Sequence, residues 1–376
     1  CKIKQNKIRR IVHLTKFSLF FSFIWGMNKL LVSFFVAIIF FSCKSKEKIP
    51  DVSSIKVNLE TERFEQDFFA MDTMKVAEAM NGFLKKYPDF LPLYIDNVLG
   101  LDLDSLLIPG NPQDQGVRLF IHDYRAMKDS SDLLYKNFSK ETDAIKSGLQ
   151  FVKYYFPNYI IPTSVITFIG PINANFETSF GVQGDILTTK SLGIGLQLHL
   201  GNNSSYYKSA EGLEQYPAYL ANNFDEAHIP INCMRNIVDD LFPEKARGKS
   251  LIEQMVDKGR RMYLLTHFLP YTPEYECINY TKEQMKASYQ NEAVIWGFFL
   301  NNNLLNKTDD NIVQIYIGES PKTAELGEDA PGNIGTFAGL QIVKKYMEMF
   351  PETSMDDLMK LGDREIYEKS KYKPRI

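Results

Sequence analysis

The chain has 376 residues, 44% of them hydrophobic and 13% aromatic, which marks it as globular, and a formal net charge of −3. Residues 1–42 hold seven lysines and arginines and no acidic residue, so the rest carries −10. An acidic body lacks the basic face that displaces counterions from phosphate backbones, and no Walker-type or dinucleotide motif offsets that, so nucleic acid is excluded as a partner.

In chain order, the first informative stretch runs from Met27 to Cys43: a positive start at Lys29, an apolar run from Leu30 to Phe41, then Ser42 and Cys43. The run falls short of the about 20 residues that a helix needs to cross about 30 Å of hydrocarbon. It reads as a lipoprotein signal peptide whose cysteine is lipidated after cleavage. Reading residues 17–42 as one membrane helix would place Asn28 and Lys29 near mid-membrane, where a charge costs several kcal/mol. The expected organisation is an upstream extension over 1–26, a signal peptide over 27–42, a lipidated tether over 43–52 and a single globular domain over 53–376.

Within that domain Ile55, Val57 and Leu59 alternate as a strand does, and residues 62–155 read as helices, for example 116–127 and 142–155. Residues 160–169, 175–180 and 192–200 are β-rich runs punctuated by Gly170-Pro171, Gly181 and Gly184, which predicts hairpins and a small, mainly antiparallel sheet. Helices then return. Ile231, Met234, Ile237, Val238 and Leu241 share one face between Pro230 and Pro243, and Ser250 with Glu253, then Thr281 with Gln284, form capping boxes ahead of two further helices. A short strand is expected over 312–317 before the last helices. The fold class is α+β, a helix-rich single domain.

The chemistry of the chain is defined mainly by absences. His13, His122, His199, His228 and His267 include no pair spaced i, i+4, the arrangement by which two imidazoles on one helix face grip zinc. No Gly-x-Ser-x-Gly elbow is present, and neither Cys233 nor Cys277 sits in a nucleophile motif. Those two cysteines are the available disulfide pair in an oxidising periplasm, although the apolar helical setting of Cys233 reads as a buried thiol. Asp225, Glu226 and His228 read as an acidic helix start. Gly332-Asn-Ile-Gly335-Thr-Phe-Ala-Gly339 reads as close helix packing through Gly335 and Gly339.

Several strings taken together resemble a known family: His228-Ile-Pro-Ile-Asn232-Cys-Met-Arg-Asn236-Ile-Val-Asp-Asp-Leu-Phe-Pro243, Met255-Val-Asp-Lys-Gly259-Arg-Arg-Met-Tyr-Leu-Leu265, Asn291-Glu-Ala-Val-Ile-Trp-Gly-Phe298 and Ala330-Pro-Gly-Asn-Ile-Gly-Thr-Phe-Ala-Gly339, behind the lipoprotein leader. They resemble the gliding motility lipoprotein GldB family of Bacteroidota over essentially the whole mature chain. The resemblance implies a lipid-anchored, non-enzymatic accessory of the motility apparatus, tied to type IX secretion and partnered by envelope proteins. It implies no cofactor and no small-molecule substrate. Lys44 after the cysteine, with no aspartate there, points to the periplasmic leaflet of the outer membrane, the inner membrane being the alternative.

A more distant similarity of layout links the chain to predicted gluzincin-type zinc proteases. In that alignment Asn232 and Asn236 fall where zinc-binding histidines stand and Asp257 near the third ligand. It implies a degenerate metallopeptidase-like scaffold that has lost its metal and kept a groove for protein segments. The competing readings are a zinc-dependent peptidase, a solute-binding lipoprotein, and asparagines that merely cap or face solvent.

Overall fold

A computed structural model describes residues 48–246, 248–327 and 329–374. Cys43, the expected lipidation site, lies outside the described residues. From Val52 onward the chain folds as one unit. It is a helix-rich α+β domain, as the sequence predicts.

The sheet has four strands in the order β1 (Glu60–Arg63), β2 (Ser164–Phe168), β6 (Ser191–Gly195), β5 (Ile186–Leu187). The expectation of a mainly antiparallel sheet is corrected here: β1–β2 and β2–β6 are parallel ladders and only β5–β6 is antiparallel. The glycine punctuation marks real hairpins, because β3 (Phe176–Thr178) and β4 (Gly181–Gln183) pair antiparallel as a separate ribbon. It says nothing about β2, whose partners arrive by long crossovers. The whole of β6 and all but the first residue of β2 are buried, the unbroken burial of strands covered on both faces.

Two further elements differ from the sequence reading. Val57 and Leu59 are buried, yet residues 55–59 form no ladder and pairing begins at Glu60. Residues 312–317 are helical, within a helix from Asp310 to Ile317. β-Branched content favours a strand there, but the Asp309 carboxylate accepts the Asn311 N–H at 2.9 Å, and Val313, Tyr316 and Ile317 bury at helical spacing.

Helices pack around the sheet. We label those that build the site α1 (Ser139–Tyr155), α2 (His228–Leu241), α3 (Leu251–Phe268), α4 (Lys282–Gln290) and α5 (Ile334–Met349). The Asp225 carboxylate accepts the N–H groups of Ala227 and His228 and so caps the start of α2. Phe242 ends α2 just ahead of Pro243. Both predicted capping boxes form. At α4 the Thr281 hydroxyl accepts Gln284 N–H at 3.1 Å, and Gln284 Oε1 accepts Thr281 N–H at 2.8 Å. Thr281→Ala is expected to lower stability by about 1 kcal/mol, seen as a lower denaturant midpoint at unchanged slope.

α3 and α5 cross in backbone contact. A Cβ on Gly339 would stand 1.7 Å from Met255 O, and one on Gly259 would stand 2.2 Å from Gly339 C. The close packing suggested by Gly335 and Gly339 forms, with Gly339 against Met255 and Gly259 of α3 and Gly335 against the helix Asp310–Ile317, where a Cβ would stand 2.9 Å from Tyr316 O. Among the described residues no helix is long and apolar enough to cross a membrane. Cys233 and Cys277 are both buried free thiols, and burial pushes the Cys277 thiol up to about 12.

Candidate functional site

One large cleft, of about 1040 Å³, opens between the β3–β4 ribbon, α2, the segment 275–281 ahead of α4, and the start of α5. The amphipathic pattern of α2 explains its wall. Ile229, Cys233, Met234, Ile237 and Val238 are fully buried, whereas His228, Arg235 and Asp239 line the cleft at a spacing of seven and then four residues, one stripe of a 3.6-residue helix.

The ribbon is clamped onto that stripe at its tip. The Ser179 N–H donates to Asp239 Oδ2 at 2.9 Å, its hydroxyl also donates to Asp239, and its carbonyl accepts from Lys258. Behind Asp239 stands Arg261, whose Nη1 is 3.0 Å from Asp239 Oδ1 and whose Nε donates to Asp257 at 2.8 Å. On the other strand Val182 N–H donates to Glu319 Oε2 at 3.1 Å. Gly181 sits at φ +107° against that carboxylate, and a Cβ there would lie 2.2 Å from Glu319 Cδ. Burial raises the Glu319 carboxyl above its ordinary value.

Polar groups without partners collect in the same walls. His228 Nδ1 lies 2.8 Å from Asp225 Oδ1. Although burial opposes it, hydrogen bonding from His228 holds the Asp225 carboxyl below its ordinary value. With Asp225 ionised, Nδ1 carries the proton, while His228 Nε2 is buried with no partner. Arg235 Nε, Asn333 Oδ1 and Thr336 Oγ1 are likewise buried without a partner, and all three residues line the cleft. Asn333 holds φ +55° immediately before α5, a conformation asparagine tolerates.

The sequence-predicted residues stand behind this surface and none of them lines it. Asn232 Oδ1 accepts from Arg235 Nη1 at 3.3 Å. Asn236 Oδ1 accepts from Gln183 Nε2 at 2.6 Å and so ties β4 to α2. Asp257 binds Arg260 Nη2 at 2.6 Å as well as Arg261. All three brace the cleft, through Arg235, the ribbon and Asp239 respectively. Asp225 and His228, which the sequence presents as a helix start, line it instead, together with Arg235, Asp239 and Glu319, which no motif assigns to a site. The helical spacing of His228, Arg235 and Asp239 is the signal that finds the polar stripe. Among the described residues no group of three or more histidine, cysteine, aspartate or glutamate side chains is arranged to hold a metal ion.

A family model described as gliding motility protein GldB matches residues 45–374. No curated protein and no solved structure gives a significant match.

Proposed function

The chain belongs to the GldB family of gliding motility proteins, and from that premise we propose that it is a lipid-anchored accessory of the gliding apparatus in the cell envelope. It is held by Cys43 in the periplasmic leaflet of the outer membrane, serves the machinery linked to type IX secretion, and acts by holding protein segments rather than by catalysis. The observation that carries this reading is the cleft. It is lined by the β3–β4 ribbon and by the polar stripe of α2 onto which that ribbon is clamped, and Asn236, Asn232 and Asp257 brace these walls from behind. A groove whose walls are fixed by such struts is suited to gripping a protein segment.

The test is photo-crosslinking in gliding cells, with the crosslinking residue at Tyr219 inside the cleft and, as control, at exposed Tyr154, which does not line it. Discrete envelope-protein adducts from Tyr219 alone are expected, and Cys43→Ala should release the protein from the membrane fraction and stop gliding. Equal adducts from both positions would remove the cleft from the function. Stoichiometric zinc in the purified protein, with peptide hydrolysis that a chelator abolishes and added zinc restores, would overturn the non-catalytic reading.

A further inference from the structure

Arg235 is 5% exposed and lines the cleft, yet its partners among the described residues are all neutral. Nη2 donates to Cys277 O at 2.9 Å and to Asn279 Oδ1 at 2.8 Å, Nη1 donates to Asn232 Oδ1 at 3.3 Å, and the guanidinium lies over the Phe180 ring at 5.6 Å. Its Nε has no partner. Among the described residues no carboxylate comes within ion-pair distance of it. Glu319 and Asp239 are near enough to be felt, but the first is held by Val182 N–H and the second by Arg261 and Ser179. A buried charge without a counter-ion is costly, and the cost is recovered when a ligand supplies the opposite charge.

The start of α5 belongs to the same wall. The segment that accepts from Arg235 at Cys277 and Asn279 continues into Tyr280, whose hydroxyl donates to Gly332 O at 2.9 Å. Gly332, Asn333 and Thr336 line the cleft there, and the Thr336 hydroxyl, on a residue 2% exposed, is unpartnered. A 16-residue helix places partial positive charge at this end.

We infer that Arg235 and the N-terminal turn of α5 form a subsite for the C-terminal carboxylate of a partner protein. The inference rests on the reading of the cleft as a protein-binding groove and names the group that it recognises. A chain end fits better than an acidic internal stretch because Glu177, Asp225, Asp239, Glu244, Glu276 and Glu319 line the same cleft and would repel further acids. One carboxylate on a neutral or basic segment satisfies both the local cation and the acidic surroundings. The Arg235 Nε–H takes one carboxylate oxygen, and the Thr336 hydroxyl in the first turn of α5 takes the other.

The test uses the lipidated full chain in detergent and two degenerate octapeptide pools, both N-acetylated, one with free C-termini and one C-terminally amidated. Retained peptides are expected to favour the free acids by about tenfold, the worth of a charge-assisted pair. Arg235→Gln should abolish the preference and Thr336→Val should reduce it about threefold. Equal retention of acids and amides overturns the subsite, as does a preference that survives in folded Arg235→Gln. If that variant does not fold, an unchanged preference in Thr336→Val overturns it instead. Tyr219 adducts without an acid preference would leave the binding groove standing and remove only the chain-end subsite. An acid preference without adducts would remove the accessory role and keep the subsite.

Discussion

Replacing Gly339 by alanine is expected to destabilise the domain by about 3–5 kcal/mol, enough to leave much of the protein unfolded or degraded in the cell. Two helices can approach until their backbones touch only where neither carries a Cβ. A Cβ on Gly339 would lie 1.7 Å from Met255 O, and that oxygen belongs to the backbone of α3, so no side chain can swing aside to make room. Relief requires α3 and α5 to separate along buried Met255, Leu340 and Val343, which gives up packing along the whole contact. Gly297 provides the control, since a Cβ there meets nothing within 4 Å in the helix Glu292–Asn301. Gly297→Ala should stabilise by up to about 1 kcal/mol, the helix-propensity difference. Denaturant midpoints of the two variants check the pair. A Gly339→Ala midpoint equal to that of the unmodified protein would mean that the helices do not meet here.

The glycine string shows how far the sequence could be read. Gly335 and Gly339, four apart on one helix, announce a close approach, and Ser250-Leu-Ile-Glu253 and Thr281-Lys-Glu-Gln284 announce helix starts, because each of these signals is local and complete within a few residues. Strand direction is not local. Whether β2 pairs parallel or antiparallel depends on how the chain returns from β1, about a hundred positions earlier, and on to β6, 27 positions later, which no turn residue records, and so the parallel ladders depart from the antiparallel expectation. Helicity over 310–317 was missed because Ile312, Val313, Ile315 and Ile317 also satisfy strand composition, and the cap at Asp309 decided the outcome. The cleft was half legible. The string around α2 drew notice, but an alignment to metal ligands directed it to Asn232 and Asn236, while the polar stripe runs through His228, Arg235 and Asp239. Glu319 carries no motif, and Thr336 sits in the glycine string only as a residue between the packing glycines. They join the site only because α3, α5 and the ribbon are brought together by tertiary packing.

Asp257→Asn is the second substitution expected to have a large effect, a loss of about 3–5 kcal/mol. Its two carboxylate oxygens face two guanidiniums, Arg261 Nε at 2.8 Å and Arg260 Nη2 at 2.6 Å, in a place where Arg261 is 2% exposed. The amide would keep some hydrogen bonding but leave Arg261 with only Asp239 as counter-charge. That contact in turn fixes Ser179 and the tip of the ribbon, so the cleft wall should loosen with the core. The pH dependence gives an independent check. Burial alone would raise the Asp257 carboxyl, but Arg261 and Arg260 overcome it and hold it at about 2, below its ordinary 3.8. A carboxyl depressed on folding contributes stability above its unfolded value, and that contribution is lost as pH falls through the folded one. The stability difference between unmodified protein and Asp257→Asn should therefore be constant from neutral pH down to about 5 and shrink from about 4 toward about 2. A difference that does not change across that window would place Asp257 outside the ion-pair network. A difference that instead follows added zinc would make Asp257 a metal ligand.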